Sequence, residues 1–203
     1  MSKKPIIVFE GIEGTGKSHH INKIANYLRK KKKQFIKIRE PGGNKNSEKI
    51  RRLILDSKST FNKHTDLLLY LSARSENVQL IKENAGKKII LIDRFSDSTI
   101  AYQHYGMGVN LTFIKNINNF LLKDVNVDFT FLNLVNMKNM KKRLSMRKKL
   151  NRYDKFNNRF YAKVQNGFIK ICNGKPKRYM KINSNLDINY NEKIILNKIN
   201  SLI

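Results

Sequence analysis

Apolar and polar positions alternate in two rhythms along the chain. Short apolar runs at residues 6–9, 35–39, 88–92, 127–135 and 178–182 read as buried strands. Between them, apolar residues recur at three- and four-residue steps, the spacing of one helix face. Ile21, Ile24, Ala25 and Leu28 mark the first such face, and Ile50, Leu53 and Ile54 the second. Residues 67–81 form a longer, mostly apolar stretch. Ile114, Ile117 and Leu121 follow the turn Gly106-Met107-Gly108. Phe156, Phe160, Val164 and Phe168 make the next face, and Ile195, Ile199 and Leu202 the last. Strands alternating with helices predict an α/β fold, a five-stranded parallel sheet with helices on both faces. No repeat, linker or break in composition divides residues 1–203, so one domain is expected. The apolar stripes are core faces and carry no chemistry of their own.

Residues 137–154 break the rhythm, with little apolar surface and much positive charge. Such a stretch is either a solvated helix face or a mobile cover whose arginines close over phosphates. The second reading places a short basic lid at about residues 142–156.

The segment after the first strand favours the lid. Gly11-Ile12-Glu13-Gly14-Thr15-Gly16-Lys17-Ser18 is the P-loop pattern, and it stands where that pattern belongs, between a strand and a helix. Glycines let backbone N–H groups turn inward around a polyphosphate, and the helix N-terminus adds positive potential. Lys17 is placed to reach the β- and γ-phosphates of a nucleotide, and the Ser18 hydroxyl to hold Mg²⁺.

Composition adds less than its extremes suggest. Lys and Arg number 42 against 15 Asp and Glu, a formal charge of +27. That balance points to polyanionic partners. The cations, however, are spread along the chain among abundant Asn and Ile. Only residues 30–33 form a dense run, and it falls where a helix should end and cations are favourable. A dedicated nucleic-acid partner is therefore not expected. A single cysteine, Cys172, rules out an intrachain disulfide and a cysteine-rich metal site. The first apolar run stops at Glu10, too short for a secretory signal, and no stretch approaches a membrane span. A cytoplasmic location is expected.

Other motifs gather at the same sheet edge. Arg39-Glu40-Pro41-Gly42-Gly43 follows the second strand. Asp93-Arg94-Phe95 ends the third, and Ser98 to Gln103 continues from it. Ligands in open α/β sheets bind outside the carboxyl ends of the strands, beside the P-loop. Arginines and carboxylates there suit a second anionic substrate and a metal, hence phosphoryl transfer between two bound nucleotides.

With these motifs in this order, and with Arg152 in the basic segment, the chain resembles the bacterial thymidylate kinases over nearly its whole length. The resemblance implies a P-loop kinase fold and the reaction ATP + dTMP → ADP + dTDP, with Mg²⁺ and as a homodimer. The apolar stretch 67–81 suggests where a dimer could form. Arg39 and Arg94 fall at positions that hold the dTMP phosphate, and Glu40 belongs to the same dTMP site. Tyr70 falls where a ring stacks on thymine, and Arg74 where the thymine carbonyl is bound. Ser98 and Gln103 fall at base-reading positions, and Tyr102 beside the 2′ side of the sugar. Arg143 falls near the adenine of ATP. In the same comparison Lys17, Arg94 and the lid arginines Arg147 and Arg152 stabilise the transferring phosphoryl group, with Arg152 favoured. Asp93 would orient a metal-bound water, and Glu13 the acceptor or metal waters. No general base is required, because the acceptor oxygen is already anionic.

Blander readings stand beside these. Tyr70 could be a core residue of an apolar helix. Arg39 and Arg94 could be ion-paired with Glu40 and Asp93. Ser98 could cap the next helix. Two other functions also remain open, a kinase for a different base and a basic P-loop ATPase acting on nucleic acid. His19 and His20 depart from the small or polar residues usual after the P-loop, and no histidine is given a role.

Overall fold

A computed structural model describes residues 4–203. The chain runs β1 (Ile6–Glu10), α1 (Lys17–Lys30), β2 (Phe35–Arg39), α2 (Lys45–Leu55), α3 (Lys63–Asn84) and β3 (Ile89–Asp93). A short α4 (Ser96–Thr99) passes directly into a π-helical stretch, Ile100–Gly106. Then come α5 (Leu111–Leu121), β4 (Phe129–Leu134), α6 (Met137–Ser145), α7 (Asn158–Asn173), β5 (Tyr179–Asn183) and α8 (Ile188–Leu202).

The strands form one parallel sheet in the order β2-β3-β1-β4-β5. Alternate residues of β1 show why both faces are covered. Ile7 and Phe9 join a core with Leu28 of α1 and with Ile195 and Ile199 of α8. Ile6 and Val8 join a second core on the opposite face with Ile81 of α3. A third cluster, around Tyr102, Leu144, Tyr161, Val164 and Phe168, packs α7 against the π-helical stretch. Register also sets the functional edge. Phe9 and Arg39 both lie level with Asp93, so the residues just beyond them emerge together.

The asparagines have structural work. Side chains of Asn44, Asn62, Asn110, Asn136 and Asn157 cap the N-termini of α2, α3, α5, α6 and α7. Each accepts a bond from an N–H that would otherwise lack a helical partner.

Two expectations change. The apolar stretch 67–81 is apolar chiefly because α3 is a core helix: Leu67, Leu71, Ala73, Val78 and Ile81 are buried, while Leu68 is half exposed. The expected lid is partly α6, whose Met140 and Leu144 are buried. Arg143 lies on α6, and Arg147 lies beyond its end at Ser145. Only residues beyond it are irregular, up to a single 3₁₀ turn at Tyr153–Lys155.

Candidate active site

The P-loop closes on itself. Gly11 has φ +135°, and a Cβ there would stand 2.2 Å from the Asn133 carbonyl oxygen, so only glycine fits. Lys17 Nζ donates to the Gly11 and Ile12 carbonyls, each at 2.8 Å, and to Thr15 Oγ1 at 3.1 Å. Burial, reinforced by the Arg94 charge, lowers its pKa to about 7. Ser18 Oγ donates to Asp93 Oδ2 at 2.9 Å. This joins the hydroxyl expected to hold a metal to the carboxylate expected to orient its water.

Arg94 follows Asp93 with φ +65°, an uncommon backbone for a side chain of this size. Its Nη1 donates to the Gly11 carbonyl at 2.7 Å and its Nη2 to Glu13 Oε1 at 3.0 Å. Glu13 Oε2 accepts from the Tyr102 hydroxyl at 2.5 Å, and the Tyr102 ring lies 5.2 Å from the Arg94 guanidinium. Glu13 is thus a brace between the loop, Arg94 and Tyr102.

Glu10, which carries no expected role, organises the turn beyond Arg94. Fully buried, it accepts from the backbone N–H of Phe95 and Ser98 and from Ser98 Oγ. It caps α4 from a neighbouring strand, and Ser98 is its partner. Burial, with the Asp97 charge, raises its pKa to about 8.

In front of these residues opens a cavity of 440 Å³ whose wall runs from Gly14 and Lys17 past Arg39, Arg51 and Arg94 to Tyr70, Arg74, Ser98, Tyr102 and Gln103. A family profile described as thymidylate kinase matches residues 9–195, which include every residue of this wall. The chain belongs to the thymidylate kinase family. It is 36% identical over 197 residues to the thymidylate kinase of a Sulfurihydrogenibium species, covering 95% of each chain. It is also 36% identical over 202 residues to that of Mycoplasma capricolum, again covering 95% of each. The crystal structure of the Ehrlichia chaffeensis thymidylate kinase superposes with a TM-score of 0.79 at 30% identity, covering 98% of this chain and 99% of that one.

Within this thymidylate kinase architecture the expected residues fall as follows. Arg39 reaches the cavity with its fork on Glu48, at 3.0 and 2.9 Å, rather than on Glu40. Glu40 pairs instead with Arg74, both buried, at 2.8 Å. Arg74 also donates to Asn118 Oδ1 at 2.7 Å, so its guanidinium is rigidly held. The ion-pair reading of Arg94 names the wrong acid, since its partner is Glu13 and not Asp93. Tyr70 is half-buried in the wall, edge-on to Tyr153 at 5.8 Å. Gly11 and Ile12 lie behind the wall, and Ile12 is a core side chain. Arg143 Nη1 donates to the Gly14 carbonyl and its Nη2 to the Ser184 carbonyl, fastening α6 to the loop.

The lid arginines exchange places. Arg147 lines the cavity, with Nη1 2.6 Å from Asp154 Oδ1. Arg152, favoured from sequence, does not line it. It pairs with Asp66 and donates to the Ile54 carbonyl. The neighbouring Phe61 and Tyr153 rings lie against its guanidinium, at 5.4 and 5.1 Å.

Sequence reasoning missed Arg51, Tyr153 and His19, all in the cavity wall. Arg51 sits on the polar side of the stripe Ile50, Leu53 and Ile54, which was the available signal. Its Nη1 donates to the Pro41 carbonyl at 2.6 Å. His19 Nε2 lies 2.6 Å from Glu192 Oε1 of α8, a contact no local pattern announces.

Proposed function

We propose that the cavity binds ATP along the P-loop and dTMP at its far end, and that the wall residues divide positioning and charge stabilisation between them. The activity of the chain is that of its family, ATP-dependent phosphorylation of dTMP to dTDP. One observation supports the residue assignments above the others: a single continuous wall joins the phosphate loop to the Tyr70, Arg74 and Gln103 pocket.

Phosphoryl transfer depends on positioning and on charge stabilisation. Arg39, Arg51 and Arg94 supply three guanidiniums for the acceptor phosphate, and a planar fork suits its oxygens. Glu13 aims Arg94 and takes the Tyr102 hydroxyl, so its part is to position them. Lys17 leaves the loop carbonyls for the nucleotide phosphates, which outcompete neutral acceptors for an ammonium. Arg147 is the cavity's lid arginine.

Ser18 Oγ and Asp93 Oδ2 are hard oxygen donors at one point of the wall, which fits Mg²⁺. The ion would be completed by water and phosphate oxygens and would offset charge on the β- and γ-phosphates. No cluster of three His, Cys, Asp or Glu occurs among the described residues.

The chain should act as a homodimer in the cytoplasm. No helix among the described residues is long and apolar enough to cross a membrane. The test of the functional reading is a coupled ADP-release assay with dTMP, dUMP, dCMP, GMP and thymidine. Highest efficiency is expected with dTMP; preference for another acceptor would overturn the assignment of the base pocket.

A further inference from the structure

Behind Gln103 and Tyr153 in the cavity wall lies a buried acid with no part in the mechanism so far. Asp66 of α3 is 1% exposed. Its Oδ1 takes the Arg152 guanidinium, and its Oδ2 takes the Tyr153 hydroxyl. The same Oδ2 accepts from Gln103 Nε2 at 3.2 Å, and Gln103 Nε2 also donates to the Tyr153 hydroxyl oxygen at 3.2 Å.

These contacts decide which way the Gln103 amide points. An ionised carboxylate only accepts, so the amide atom facing Asp66 must be the nitrogen. The Asp66 and Tyr153 oxygens stand side by side, so together they fix the nitrogen end of the amide toward α3. The other end of the amide is Oε1, an acceptor. Turning the amide over would set its oxygen against the Asp66 carboxylate. Arg152 neutralises Asp66, so the charge that orients Gln103 is itself held in place. An acceptor at this point selects a base edge that donates. Thymine presents N3–H; cytosine presents a bare N3 lone pair at the same position.

We propose that Asp66 is the positioning residue that sets base selectivity, by holding Gln103 Oε1 toward the base, and that Arg152 and Tyr153 serve Asp66. This rests on reading the pocket as the dTMP site. Arg152 then belongs to base selection rather than to phosphoryl transfer.

The experiment measures kcat/KM for dTMP and dCMP, with calorimetric binding of each, in Asp66→Asn, Tyr153→Phe and Gln103→Leu. The amide introduced by Asp66→Asn can donate or accept, so the Gln103 amide would be free to turn. In that variant the dTMP-to-dCMP ratio should fall about 10- to 100-fold, the cost of one mismatched buried hydrogen bond, with dCMP use rising in absolute terms. Tyr153→Phe removes one of the two Nε2 partners without removing charge. It should shift the ratio the same way by less, and it decides the matter if Asp66→Asn fails to fold. Gln103→Leu should lose dTMP efficiency and gain nothing with dCMP. An unchanged ratio in folded Asp66→Asn and Tyr153→Phe, while Gln103→Leu loses dTMP, would overturn the role of Asp66 and leave the pocket reading intact. If Gln103→Leu also keeps full dTMP efficiency, the pocket reading falls as well.

Discussion

In the free protein Lys17 Nζ is held by two loop carbonyls, and burial brings its pKa to about 7, against 10.5 ordinarily. Phosphates favour the charged form, so bound nucleotide should return the pKa toward its ordinary value. At pH 8 the free lysine is mostly neutral. ATP binding should then take up close to one proton, and at pH 6 none through this group. Calorimetry in buffers of different ionisation enthalpy measures this uptake, and Lys17→Arg, charged throughout, should lack it. Equal uptake in both proteins would show that Lys17 is charged before ATP arrives. The same shift affects stability. A depressed lysine pKa penalises the folded state fully below about pH 7 and progressively less as pH rises toward 10.5. At this scale, too, the two lid arginines separate. Arg147→Ala should lower kcat at least ~10²-fold and leave dTMP affinity nearly intact, as expected for a cation felt mainly in the transition state. Normal turnover in Arg147→Ala would remove it from catalysis.

Among the elements, the π-helical stretch Ile100–Gly106 holds both Tyr102 and Gln103, the residues proposed to read the sugar and the base. Its backbone bond from Met107 N–H to the Tyr102 carbonyl, 2.9 Å, spans five residues. It lies flat against α7. A Cβ at Gly167 would stand 2.8 Å from Tyr105 Cβ and 2.7 Å from its Cγ, atoms at the root of a side chain that cannot swing aside. Gly167→Ala should therefore cost about 1–3 kcal/mol despite its better helix propensity. It should raise KM for dTMP by displacing Gln103. An unshifted urea midpoint with unchanged KM would show that the contact yields easily. The helix caps are a milder case. Asn136→Ala frees the Asn139 N–H at the start of α6 and should cost about 1 kcal/mol by urea unfolding. No loss of stability there would mean that water caps α6 equally well.

For the whole molecule, assembly turns on what α3 and α5 leave exposed. With the apolar side of α3 turned inward, the remaining large apolar groups on α3 and α5 are Leu68, Phe113 and Phe120, at 50, 44 and 81% exposure. The two helices pack side by side through Leu67, Leu71 and Ile114. Sedimentation should give a dimer of the 23.8 kDa chain at micromolar concentration, and Phe120→Asp should weaken it. A monomer in the unaltered protein would refute the assembly.

Local pattern determined a good deal by itself. Strand length and helical spacing are short-range consequences of burial, so all five strands, the P-loop and the main helix faces were legible. The strand ends were less so: residues 127–128 lie outside β4, and residue 178 lies outside β5 because it closes the 3₁₀ turn Pro176–Arg178. The motif residues Arg39, Asp93 and Arg94 could be placed at one edge because parallel strands align their carboxyl ends. Tertiary structure alone decided the partners. Which acid meets which arginine depends on distances between segments far apart in sequence: Arg39 with Glu48, Arg94 with Glu13, Arg152 with Asp66. Charge type and spacing carry no information about such meetings. For the same reason Glu10 and Asp66 were silent in the sequence. A carboxylate acquires its function from the donors the fold brings to it.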